Sequence, residues 1–301
     1  IKNKPTKLLA CFFLPTKGGI MERIITKQLK EKFEQILYKE EKNENTIKKY
    51  LRDLEKFKQY LSNRCTTKEE VIGFKEYLQN YYKTSSINSF LAAINHFFEV
   101  VGWQDLKIKS LKIQKQIFLP EERYLTKREY QRLISAAMST GKERISLIIQ
   151  AIGSTGIRIS ELSYITVESL RKGRVEIKNK GKIRQVFYPK ALQKVLLRYS
   201  KKMKITEGIL FRTSTGKAVN RSNVWREMKN LCKKAGVNEE KVFPHNLRHL
   251  FARCFYEIKK DIAKLADVLG HSSIDTTRIY IKTTGREHMR QLEKMGMVVT
   301  T

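Results

Sequence analysis

Proline and glycine are nearly missing from the first third of this chain. No proline stands between Met21 and Leu119, and Gly73 is the one glycine between Met21 and Val101, so little in this interval breaks a helix. Cysteine is scarce as well. Cys11, Cys65, Cys232 and Cys254 lie far apart and form no CxxC pair, which argues against a zinc module and a disulfide scaffold and favours a reducing cytoplasm. No apolar run approaches the roughly 20 residues that span a bilayer. The longest early one, LLACFFL at 8–14, is too short and lacks a cleavage region, so a secretory signal is not expected. Acidic residues are outnumbered, 30 Asp and Glu against 61 Lys and Arg, leaving a net charge of +31. An excess of this size favours a polyanionic partner, nucleic acid first and an anionic membrane surface second. Residues 1–20 are expected to be a disordered or upstream segment, because Met21 opens the first helical pattern.

What is present divides into two parts. Four apolar-periodic segments, 23–42, 46–63, 67–79 and 85–101, fit the proline-free interval. In the second, Ile47, Tyr50, Leu51, Leu54, Phe57, Tyr60 and Leu61 recur at helical spacing, with Asn45 as the expected N-cap. Residues 21–106 therefore read as an all-helical domain. A basic stretch over 107–121, carrying Lys107, Lys109, Lys112 and Lys115 and ending past Pro120, reads as an extended linker. It suits either a path along a phosphate backbone or ordinary solvation. Residues 122–301 form a mixed domain. Thr126 and Glu129 make a capping box, a helix runs over 143–154, and Gly156 ends it. The period then changes to two: GRVEIKNKGKIRQVFYP reads as a hairpin with strands near 174–178 and 183–188 and a turn at 179–182. Helices follow, apart from a short strand at GILF. The fold class is mainly α with a small β-hairpin, an α+β arrangement.

The chemistry concentrates in PHNLRHLF, where His245, Arg248 and His249 share one helical face. A metal on the two histidines would sit beside the fixed positive charge of Arg248, and no HExxH carboxylate is present. An anion is the better ligand, with the guanidinium giving paired donors and the imidazole a directed one. His249 alone suits a supporting role. A second arginine, Arg158 in TGIRISEL, has Glu161 three residues on to orient it, although surface pairs of this kind are common. The third piece is LADVLGHSSIDTTRIY. Gly270 ends one helix, Ser272 with Asp275 suggests the N-cap of the next, and Tyr280 is expected about two turns into it.

TGIRISEL, NKGK, HNLRH, LGHSS and TTRIY, in this order and spacing, resemble the motifs of the tyrosine recombinases, or phage integrases. The resemblance runs over about residues 22–295. It implies a helical core-binding domain and a mixed catalytic domain that close on DNA as a clamp. It also implies Tyr280 as a nucleophile that forms a 3′-phosphotyrosine, and Arg158 and Arg248 as clamps on the phosphate oxygens. His245 and His271 would donate to the same oxygens, and Lys180, flanked by Lys178 and Lys182, would protonate the leaving 5′-oxygen. Glu161 and His249 would support these groups. Neither metal nor cofactor is implied. The implied partners are double-stranded DNA, further copies of the chain in a tetramer, and a directionality factor. The tail GREHMRQLEKMGMVV, with Met289, Leu292 and Met295 at helical spacing, would dock on a neighbouring protomer or pack on its own domain. The implied setting is the cytoplasm, at the nucleoid, and the high basicity leans towards integration or excision of a mobile element. A type IB topoisomerase-like enzyme and a catalytically silent DNA-bridging protein are the alternatives.

Overall fold

The proline-free interval folds as four helices, α1 (Lys27–Lys39), α2 (Glu44–Leu61), α3 (Lys68–Gln79) and α4 (Thr84–Val101). This computed structural model describes residues 23–113, 124–179, 182–281, 285–295 and 297. Lys115, Lys180 and residues 1–20 lie outside them. The chain separates into two compact units, Ile1–Lys115 and Gln116–Thr301. In the first, the inward stripes meet in an aromatic-rich core that includes Phe33, Phe57, Phe74, Phe97, Phe98 and Trp103. The cap of α2 is Asn43 rather than Asn45: the Asn43 side chain accepts from the Asn45 backbone N–H at 3.0 Å, so the helix begins two residues earlier than periodicity suggests.

The basic stretch begins as part of this unit. Asn95 exchanges two hydrogen bonds with Ile108, at 2.8 and 3.0 Å. Asn88 does the same with Leu111, both at 2.8 Å. Seven residues of helix rise about 10.5 Å, and three extended residues span about 10 Å. The two spacings match, and each asparagine meets a backbone N–H and C=O. Ile108 and Leu111 pack against the aromatic core while Lys107, Lys109 and Lys112 point outward. Lys68 and Lys75 donate to the Lys107 and Lys109 carbonyls. Residues 107–113 are thus a strap, and a free linker does not start at 107. Replacing Asn95 with Ala is expected to remove two part-buried bonds worth about 1 kcal/mol each. Hydrogen exchange of the full chain checks this: protection at Ile108 and its neighbours falls while the cores of α2 and α4 keep theirs.

The second unit has α5 (Lys127–Ser139), α6 (Glu143–Thr155), α7 (Val167–Lys172), strands β1 (Arg174–Asn179) and β2 (Lys182–Phe187), then α8 (Lys190–Lys202), α9 (Arg221–Lys229), α10 (Cys232–Ala235), α11 (Pro244–Lys259), α12 (Ile262–Leu269), α13 (Ile274–Arg278) and α14 (Gly285–Lys294). The fold is therefore mostly helical with one small antiparallel hairpin, as the patterning indicated. Thr126 and Glu129 form the capping box of α5. Central α6 buries Ile145, Leu147, Ile148, Ile149, Ala151 and Ile152, and α11 packs along it. The hairpin pairs Arg174 with Phe187 through to Asn179 with Lys182.

Arg158 leads into a 3-10 helix, Ile159–Tyr164, with only seven residues between it and Thr166, the cap of α7. Three local expectations are corrected. GILF is no strand but a single bridge, Thr166 to Ile209. Ser273, not Ser272, caps α13, its hydroxyl accepting from the Asp275 N–H at 3.2 Å. That helix ends at Arg278, so Tyr280 lies just past it, its N–H closing a tight turn on the Thr277 carbonyl at 2.9 Å. No helix among the described residues is long and apolar enough to cross a membrane.

Candidate active site

Arg248 is the centre of the cluster and is 1% exposed. Pro244 sets the first turn of α11, which places His245, Arg248 and His249 on the face turned towards Tyr280. Two helix ends supply the carbonyls that orient the guanidinium. Its Nη1 donates to Gly156 O at the end of α6, and its Nη2 donates to Leu269 O at the end of α12, 2.6 Å away. Both ends need glycine. Gly156 has φ +66°, and a Cβ there would sit 2.5 Å from the Phe251 ring. Burial, with help from Arg158, draws the Arg248 pKa down to about 10, so it remains charged at neutral pH.

The aromatic groups close around Tyr280, which is 5% exposed. Its ring stacks on His249 at 4.3 Å, with His245 at 5.4 Å and His271 at 5.2 Å. The hydroxyl lies 3.4 Å from His245 Nε2 and also engages Arg248. His271 Nε2 is 3.2 Å from Arg248 Nη2, and its Nδ1 is 2.9 Å from Thr277 Oγ1.

Arg158 is held by Glu161, which accepts from its backbone N–H at 2.8 Å and from its guanidinium at 2.9 Å. Glu161 is only 3% exposed and takes a second guanidinium, that of Arg184 on β2, at 2.5 Å. Burial pushes the Glu161 pKa up, but the Arg158 N–H and the two guanidiniums outweigh it and hold the carboxyl below its ordinary value. Arg184 also donates to Val268 O at 2.9 Å, and its Cδ fills the space where a Cβ on Gly270 would fall, 2.4 Å away.

The described candidates are therefore brought together: Arg158, Glu161, His245, Arg248, His249, His271 and Tyr280. Lys180 lies outside the described residues; Lys107, Lys109 and Lys112 belong to the other unit. Sequence reading missed Arg184 and Thr277. It also missed a groove of about 550 Å³ on the helical unit, lined by Lys49, Arg52, Lys56, Tyr82, Phe90 and Ser85, Ser86 and Ser89. There Lys56 Nζ lies 4.5 Å over the Tyr82 ring and 5.9 Å from Phe90, while Asp53, also in the lining, pairs with Lys49 and Arg52. Among the described residues no three His, Cys, Asp or Glu gather as a metal site.

The cluster fixes a pH response. Burial first, then neighbouring positive charge, lowers His249 and His271 to about 4 each, and His245 shifts the same way. The folded protein then binds fewer protons than the unfolded chain between pH 6.5 and 4. The stability these groups contribute is fully present above about pH 6.5 and is lost as pH falls through about 4. Urea midpoints are expected to be flat from pH 8 to 7 and to drop steadily below 6.5, and replacing His249 with Gln should flatten that drop.

Residues 123–287 match the phage integrase family and residues 31–105 its N-terminal SAM-like domain. Tyrosine recombinase XerA of Pyrococcus horikoshii is 30% identical over 289 residues, covering 93% of this chain and 97% of the relative. XerD of Vibrio cholerae is 28% identical over 270 residues, covering 83% and 89%. Among solved structures, a lambda integrase tetramer bound to a Holliday junction shares the fold, with TM-score 0.70 and 18% identity over 88% of this chain and 79% of that one. With the whole family pattern matched across both units, the chain belongs to the phage integrase family and is a site-specific tyrosine recombinase, an enzyme that breaks and rejoins DNA.

Proposed function

We propose that Tyr280 performs the strand cleavage and that Arg158, His245, Arg248, His271 and Lys180 serve the phosphate it attacks. The observation that carries this reading is the convergence of His245, Arg248 and His271 on the Tyr280 ring and hydroxyl. The Tyr280 oxygen forms a bond to phosphorus, the 5′-oxygen leaves, and the strand end is retained as a 3′-phosphotyrosine. His245, with its pKa lowered by burial and the two arginines, is neutral at physiological pH and takes the phenolic proton through Nε2. Arg248 and Arg158 neutralise the charge that builds on the non-bridging oxygens, and the two carbonyls and Glu161 fix their directions beforehand. Lys180 delivers a proton to the 5′-oxygen. A 5′-hydroxyl from another strand reverses the step and exchanges strands, because the ester keeps the energy of the broken bond. The test is a nicked suicide duplex analysed on a denaturing gel with and without EDTA: a covalent band that persists in EDTA supports the reading, and its absence on every site tried overturns it.

The DNA contacts extend to the helical unit in this proposal. Lys49, Arg52 and Lys56 in the aromatic groove, together with Lys107, Lys109 and Lys112 on the strap and Lys115 beyond it, would hold phosphates as the two units clamp the duplex. In this reading residues 21–106 serve as a core-binding domain, 107–121 as a basic connection and 122–301 as the catalytic domain. A tetramer is the working form. Met289 and Leu292 on α14 and Met295 just after it are exposed, and an apolar groove of about 460 Å³ between Phe187, Phe251 and Phe255 offers a seat for the same tail from a neighbouring protomer. A directionality factor would choose between the two outcomes, and the setting is the cytoplasmic nucleoid. The biological role is integration and excision of a mobile element, a reading supported by the +31 charge. Sequencing the DNA joined to the protein in cells tests it: ends of a mobile element support it, and one fixed chromosomal site overturns it.

A further inference from the structure

We infer that Thr277 is the positioning residue that assigns the protons of His271, holding one on Nδ1 so that Nε2 is the nitrogen offered to the scissile phosphate. The inference rests on the reading above, in which His271 contacts that phosphate. Arginine can only donate. Arg248 Nη2 has two hydrogens, and its neighbours are Leu269 O at 2.6 Å and His271 Nε2 at 3.2 Å. His271 Nε2 is therefore the acceptor and carries no proton. A neutral imidazole then bears its proton on Nδ1, which needs an acceptor, and Thr277 Oγ1 stands 2.9 Å away. Thr277 is fully buried, one turn along α13 from the Ser273 cap, so the hydroxyl faces inward by construction of the helix.

The arrangement decides where a further proton goes. When a phosphate oxygen takes the Arg248 hydrogen now aimed at His271, Nε2 is released and accepts a proton from solvent. The resulting imidazolium donates Nε2–H to the phosphate while Nδ1–H stays on Thr277. The arginines around the ring oppose this charge: Arg248 on α11, Arg158 before the 3-10 helix, and Arg184 on β2, with His245 on α11 adding to it once it has taken a proton. Tyr280 faces the ring as well, at 5.2 Å. The cation thus needs an anion at Nε2 and an acceptor at Nδ1 together, and the Thr277 hydroxyl is the second of these. A buried Nδ1–H left without it disfavours the charged form.

The test compares wild type, Thr277→Val and Thr277→Ser in single-turnover cleavage of a nicked duplex from pH 6 to 9, alongside ¹⁵N NMR of the histidine rings without DNA. Thr277→Val keeps the shape and removes the hydroxyl; Thr277→Ser keeps the hydroxyl. Cleavage by Thr277→Val is expected to fall at least about tenfold at pH 8, with a smaller deficit at pH 6, and Thr277→Ser to stay near wild type throughout. The NMR signature expected in wild type is a neutral His271 protonated at Nδ1. The inference is overturned if Thr277→Val tracks wild type at every pH, if both variants fall equally at all pH values as a packing defect would make them, or if the free protein holds its His271 proton on Nε2. Failure of wild type itself to cleave overturns the reading of the site, while the NMR result still decides the tautomer.

Discussion

Tyr280→Phe is expected to form no covalent adduct on a nicked duplex that wild type converts readily, a fall of at least about 10⁴-fold, while binding the same duplex with unchanged affinity. The structural reason for the second half is that the ring, not the hydroxyl, does the packing. The stack on His249 at 4.3 Å and the contacts with His245 and His271 survive the substitution. The hydroxyl gives up a long contact with His245 Nε2, 3.4 Å away, and its engagement of Arg248, whose guanidinium keeps the Gly156 and Leu269 carbonyls, so the lost stability is about 1–2 kcal/mol. The variant therefore separates the nucleophile from the scaffold. A denaturing gel reads the adduct and a mobility-shift titration at fixed salt reads the binding. Recombination by the Phe variant in cells would revive the bridging-protein alternative. An adduct formed by it would place the nucleophile on another residue.

The sequence announced this site unevenly, and the reason is geometric. His245, Arg248 and His249 were legible together because helical periodicity joins residues three and four apart, and α11 delivers that face intact. Arg158 and Glu161 were legible as a pair at the same short spacing, even though the element proved to be a 3-10 helix. The helical unit was readable from its apolar stripes, with only a cap displaced by two residues. Arg184 was not legible. Its partners are Glu161 and Val268, 23 and 84 residues away, and a basic residue in a strand beside a lysine-rich turn looks like any other surface cation. Thr277 was hidden likewise, since its partner His271 lies across a helix junction and a threonine in a short polar helix reads as an ordinary surface residue. The strap misled for the opposite reason: lysines dominate its composition, while Ile108 and Leu111, which anchor it, are conspicuous only once Asn88 and Asn95 are seen two helical turns apart on one face.

Glu161→Gln is the substitution expected to damage both stability and cleavage. One carboxylate holds the guanidiniums of Arg158 and Arg184, at 2.9 and 2.5 Å, and is 3% exposed. The Arg184 side chain is 10% exposed, so neutralising its partner leaves a charge with little water to replace it. Breaking a buried pair from one side typically costs about 3–5 kcal/mol, and the urea midpoint should fall accordingly. Glu161→Gln still accepts one hydrogen bond from the Arg158 backbone, so the 3-10 helix starts where it did, but the guanidinium loses its charged anchor. Cleavage measured at a temperature where the variant is fully folded should drop about 10²-fold. Acid sensitivity gives an independent sign. The Glu161 pKa is below its ordinary value, so its stabilisation is present above about pH 4.5 and lost as pH falls further. Glutamine has no proton to gain, and the variant's stability should therefore change less than that of wild type below pH 4.5. Arg184→Lys separates the two arginine roles: it keeps a charge near Glu161 but cannot reach Glu161 and Val268 O at once. If β2 positions the Gly270–His271 turn through Arg184, this milder variant loses cleavage out of proportion to its small loss of stability.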